Sequence, residues 1–133
     1  MRQKICLFLL MIAMSARSMM PDDLGPEDKG VPGVITGWLR DAACLMRYKQ
    51  VTKPLNDCAR ICALAGSPLV IASQDGKLYT PISTSIPETD QRRVWMPHVG
   101  KYVRVSGRLF DRAGMHAIAV EKLEDVQEPD GKN

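Results

Sequence analysis

Along residues 102–109, the apolar Val103, Val105 and Leu109 alternate with the polar Arg104, Ser106 and Arg108. A period of two puts one set on each side of an extended chain, so this segment reads as a strand with one buried and one wet face. Such a strand needs neighbours on its edges and an apolar layer against its dry side. That demand constrains the rest of the chain.

The remaining signals supply partners. Residues 34–39 form a β-branched and aromatic run that suits a first strand, with Gly37 marking a bend or close backbone approach. Residues 69–72 and 77–80 flank Gln74-Asp75-Gly76, and Asp-Gly provides the left-handed positions of a tight hairpin. Arg112-Ala113-Gly114 turns the chain into residues 115–123, where Ile118 and Val120 indicate a strand returning against the fourth.

Helical signals are sparse. Asn56 or Asp57 offers a cap for a helix of about two turns over residues 58–65, ended by Gly66. A second short helix fits within residues 87–96, before Pro97. Residues 42–53 carry no clear preference. The expected fold is mainly β, a β-rich α+β chain. It forms a small five-stranded barrel of the OB type, with a short cysteine-bearing helix inserted after the first strand. A two-layer α+β sandwich is the competing arrangement.

Residues 1–18 read as an export signal. Arg2 and Lys4 give a cationic start, Ile5 to Ala13 an apolar run too short to span a bilayer, and Ala13-Met14-Ser15 or Ala16-Arg17-Ser18 a small-x-small cleavage pattern. The expectation is a periplasmic or secreted protein with no transmembrane anchor once the leader is cleaved. The leader also holds Arg2, Lys4 and Arg17 and no acid, so its removal leaves 15 basic and 15 acidic residues. A neutral mature chain has no general attraction for nucleic acid or anionic membrane, and nucleic acid is not an expected partner. Residues 19–32, rich in Pro, Gly and acids, read as a disordered linker, residues 33–126 as one domain, and residues 127–133 as a fraying tail.

Three stretches, residues 36–44 (Thr36-Gly37-Trp38 through Asp41 to Cys44), 57–62 (Asp57-Cys58-Ala59-Arg60-Ile61-Cys62) and 100–107, resemble a group of small secreted bacterial proteins of uncharacterised function with an OB-like domain. The resemblance implies that fold and export, and supplies no activity. Some members carry a histidine three residues before the first cysteine of the pair, where this chain has Leu55.

Cys44, Cys58 and Cys62 are the distinctive chemistry, since Cys6 departs with the leader. An odd number of thiols in an exported chain cannot all pair within one molecule. The leading expectation is structural: Cys44 bridges to one helix cysteine, which stabilises a small exported domain by about 2–4 kcal/mol. The third thiol is then quiet or bridges two copies into a disulfide-linked or weak oligomer. A Cys58–Cys62 bridge would strain an intact helix.

The alternatives are core packing, convergence on a soft ion, copper(I) or zinc, and thiol redox activity, for which C-x3-C is a poor spacing. For a metal, Met46 offers a thioether, and His98 or His116 a fourth ligand from elsewhere. Asp41, three residues before Cys44, reads as a cap or an orienting group.

Lys77, Arg104 and Arg108 are candidates for a binding face for single-stranded nucleic acid or oligosaccharide, although solvated strand faces suffice to explain the arginines. Trp38, Trp95 and Met115 read as core anchors. No phosphate loop, metalloprotease helix or nucleophile elbow is present. The chain therefore reads as a non-enzymatic binding or accessory module with no catalytic residues.

Overall fold

The structure is a computed structural model that describes residues 25–48 and 57–130. The expected leader, the first part of the linker and the end of the tail lie outside the described residues. Five strands close a barrel in the order β1-β2-β3-β5-β4. They are β1 (Val31–Asp41), β2 (Leu69–Ser73), β3 (Leu78–Ile82), β4 (Tyr102–Arg112) and β5 (Met115–Asp125). All neighbours pair antiparallel except β3 and β5, whose parallel register from Tyr79↔His116 to Ile82↔Ala119 closes the barrel. The fold is thus the mainly β, five-stranded OB-like barrel the pattern suggests.

β1 serves two neighbours. Val31 to Trp38 pair with β4 and Gly37 to Asp41 with β2, so the strand bends where the two ladders overlap. Gly37 lies in that overlap, and a Cβ there would run into the Ala72 carbonyl. At the register shift in β4, Gly107 meets the Ala119 carbonyl in the same way. Close approach of neighbouring backbone is what glycine permits at barrel corners. The hairpin between β2 and β3 forms as expected: Gly76 has φ 79°, and Asp75 accepts from the Lys77 amide at 3.0 Å and the Tyr79 hydroxyl at 3.1 Å.

Leu39, Ile71, Val103, Val105 and Ile118 point inward and are fully buried. Each contributes about 1.5–3 kcal/mol by leaving water. Trp95 and Val99 join them from the β3–β4 connection, which contains α3 (Arg92–Trp95) and a 3₁₀ turn (Met96–His98). The short helix expected before Pro97 is α3, and Pro97 itself lies inside the 3₁₀ turn that follows it.

Trp38 is buried differently, on the barrel's outer side. It meets Tyr102 edge-on at 5.5 Å and donates its indole N–H to Glu128 at 3.2 Å. Part of the expected tail is therefore tied down. The first strand also begins at Val31, inside the expected linker, and Asp28 pairs with Arg112 at 3.2 Å. Met115 is a correction: it is 65% exposed, because it opens β5 directly after the Ala113-Gly114 turn, and it anchors nothing.

Candidate metal centre

Among the described residues, two short helices lie between β1 and β2, α1 (Ala42–Arg47) and α2 (Cys58–Leu64). Propensity alone cannot sustain helices this short, so neighbouring structure must hold them. For α1 that support is specific. Asp41 is its N-cap, in extended conformation, and its Oδ2 accepts from the Cys44 amide at 2.8 Å. The Ala42 amide donates to the Pro68 carbonyl at 2.8 Å and the Ala43 amide to Ser67 Oγ at 3.1 Å. Leu45 packs against Val70 and Ala72 on the outer side of β2. The segment without sequence preference is thus helical through residue 47.

In α2, Ala59 and Ala63 sit one turn apart and enter the barrel core. Small side chains let the helix backbone approach the barrel closely. Arg92, on α3, donates its guanidinium to the Ala63 carbonyl. Asp57 occupies the N-cap position but makes no side-chain cap bond, and Asn56 lies outside the described residues. Gly66, at φ 107°, reverses the chain after α2, and the Ser67 amide then donates to the Cys62 carbonyl at 3.0 Å.

With Ala59 and Ala63 facing inward, Cys58 and Cys62 fall on the adjacent stripe, where Cys44 arrives from α1. The Cys44 Sγ lies 3.2 Å from that of Cys62 and 3.5 Å from that of Cys58. All three sulfurs lie within 4.8 Å of one another. Cys44 and Cys62 are half-buried, Cys58 is exposed, and all three are free thiols. The expected bridge from Cys44 is not formed, since both separations exceed the roughly 2.05 Å of a disulfide. Packing alone does not describe them either, because the trio opens to solvent at Cys58.

The Cys44 thiol is pushed up from its ordinary 9.0 to about 12. Hydrogen bonding to Cys62 contributes most, followed by Cys58, burial and the Asp41 carboxylate. Without a cation, this surrounding disfavours a thiolate at Cys44; with a cation among the sulfurs, the same crowding of donors becomes a ligand set.

Neither histidine joins the sulfurs. His98 Nδ1 contacts Asp125 Oδ1 at 2.5 Å, and His116 Nδ1 contacts Asp111 Oδ2 at 3.1 Å. Both belong to strand ends and connections away from α1 and α2. Met46 lies two residues beyond Cys44, a spacing that does not share a helix face, and it is 74% exposed. Lys77, Arg104 and Arg108 are exposed and form no comparable cluster. Arg108 approaches Glu121 at 3.8 Å, and Arg104 acts on Glu124 closely enough to help lower its pKa, after the larger effect of Lys122.

One contributor escaped the sequence reading. Ser67 links the carbonyl of Cys62 to the amide beside Cys44, and only its place in a Gly-Ser-Pro turn hinted at a structural role. Asp41 was legible as a cap, but nothing in the pattern indicated that it would be wholly buried. Among the described residues, no helix is long and apolar enough to cross a membrane. Compared with known proteins, the chain matches no family model, no curated protein and no solved structure.

Proposed function

We propose that this protein is an exported, non-enzymatic module that binds a soft metal ion, copper(I) or zinc, through Cys44, Cys58 and Cys62. The observation that carries the reading is the size of the sulfur triangle, with edges of 3.2 Å and 3.5 Å and a third of no more than 4.8 Å. Metal–sulfur bonds of about 2.3 Å require sulfur–sulfur edges of roughly 3.8–4.0 Å in tetrahedral or trigonal sites. The 3.5 Å edge falls a few tenths of an ångström short of that and the 3.2 Å edge more than half an ångström short, so the sulfurs spread slightly to admit an ion. Thiolates are also the donors that select these two ions.

The leader-like residues 1–18 support export to the periplasm or beyond. In an oxidising compartment a metal would protect thiols that otherwise pair. Cys44–Cys62, with the shorter contact, is the competing disulfide. Metal analysis of full-length protein purified from its native compartment separates the two. The proposal expects one equivalent of copper or zinc and three thiols that become reactive only after chelation. A Cys44–Cys62 bridge with one free thiol and no metal would overturn it.

A further inference from the structure

Among the described residues, Asp41 is the one acidic side chain with no exposure at all, and only one of its oxygens has a partner. Oδ2 caps α1 through the Cys44 amide, while Oδ1 accepts no hydrogen bond. No ion pair to Asp41 occurs among the described residues. Capping needs neither burial nor charge, since serine or asparagine performs it from the surface. A buried carboxylate without a cation is costly, and such groups are normally paired or bind metal.

The location of this carboxylate is informative. It caps α1 through the Cys44 amide at 2.8 Å, and it is among the groups that push the Cys44 thiol up, after Cys62, Cys58 and burial. The three sulfurs are the only cluster of metal-ligating side chains found among the described residues. A cation held by them would bring positive charge to the residue whose amide Asp41 caps, and so offset part of the cost of the buried carboxylate. Three soft donors satisfy trigonal copper(I), whereas zinc seeks a fourth position and greater negative charge.

We propose that Asp41 sets the specificity of the three-thiolate site, favouring zinc over copper(I). This rests on the metal-binding reading above and names which ion the site prefers. A fixed negative charge attracts a divalent ion more than a monovalent one at the same position. Asp41 acts as a positioning residue through its bond to Cys44 and as a charge partner for the ion.

The test compares zinc and copper(I) affinities, each measured by competition with a chromophoric chelator, in the full chain and two variants. Asp41→Asn keeps a cap acceptor and removes the charge; Asp41→Glu keeps the charge and displaces the acceptor. The expected result is a fall of about 10–100-fold in zinc affinity for Asp41→Asn, as for lost outer-shell partners, with copper(I) affinity changed by less than about threefold. Asp41→Glu should retain the wild-type ratio of the two affinities. Equal weakening of both ions in Asp41→Asn, an unchanged ratio, or a zinc-specific loss shared by Asp41→Glu would overturn the assignment, the last because it would trace to cap geometry. Failure of the wild-type protein to bind either ion would overturn the metal site itself and this specificity with it.

Discussion

The sulfurs of Cys44 and Cys62 lie 3.2 Å apart, although the two residues are 18 positions apart and belong to different helices. The contact follows from how the helices are anchored. Ala59 and Ala63 fasten α2 to the barrel core, Leu45 fastens α1 to the outer side of β2, and Ser67 bonds to backbone from both helices. The thiol geometry is therefore a property of the barrel frame and its connections.

Ser67→Ala should loosen this arrangement specifically. The substitution removes the Oγ acceptor of the Ala43 amide and leaves the Ser67 amide bonded to Cys62. Loss of one such bond costs about 1 kcal/mol. Urea denaturation should show that modest loss, and zinc titration should show weaker binding. Unchanged metal affinity would mean that Ser67 does not position the sulfurs.

Metal-free protein should lose stability as pH rises from about 9 toward 12. The folded-state pKa of Cys44 is raised above its ordinary 9.0, so the native state holds this proton more tightly than the unfolded chain does. The resulting stabilisation is fully present below pH 9 and disappears as pH rises through about 12. Because lysines and tyrosines also titrate there, the informative quantity is the difference between wild type and Cys44→Ser in denaturation midpoint. That difference should shrink with pH, and a constant difference would contradict the assigned surroundings of Cys44.

Gly37→Ala should destabilise the barrel by about 1–3 kcal/mol, because the new methyl group meets the Ala72 carbonyl where β1 passes from β4 to β2. Thermal unfolding followed by circular dichroism measures this. A neutral substitution would mean that β1 and β2 separate there at little cost.

Ala63→Leu tests the coupling between core and site. Ala63 is fully buried beneath α2, so a larger side chain must push the helix outward and carry Cys62 with it. Overpacking should cost about 1–3 kcal/mol and also weaken zinc binding. Lost stability with unchanged binding would show that the sulfurs adapt independently of the helix seat.

The strands were legible because their signals are local. Alternation in residues 102–109, the Asp75-Gly76 turn and the β-branched run around Gly37 each specify extended chain without help from distant residues. The helix α1 was not, because much of what holds it, the Pro68 carbonyl, Ser67 Oγ and Val70, comes from beyond α2. The identity of the cysteines was plain, but their separation depended on the path between Cys44 and Asp57. Exposure of Met115 was misread for a similar reason: an apolar residue at a turn looks the same in sequence as one inside a strand.

X-ray absorption at the metal edge of the purified, metal-loaded protein counts the atoms around the ion. Three sulfur neighbours at about 2.3 Å are expected, falling to two in each of Cys44→Ser, Cys58→Ser and Cys62→Ser. A metal surrounded only by nitrogen and oxygen, or a sulfur count that one of these substitutions leaves unchanged, would contradict the three-thiolate site.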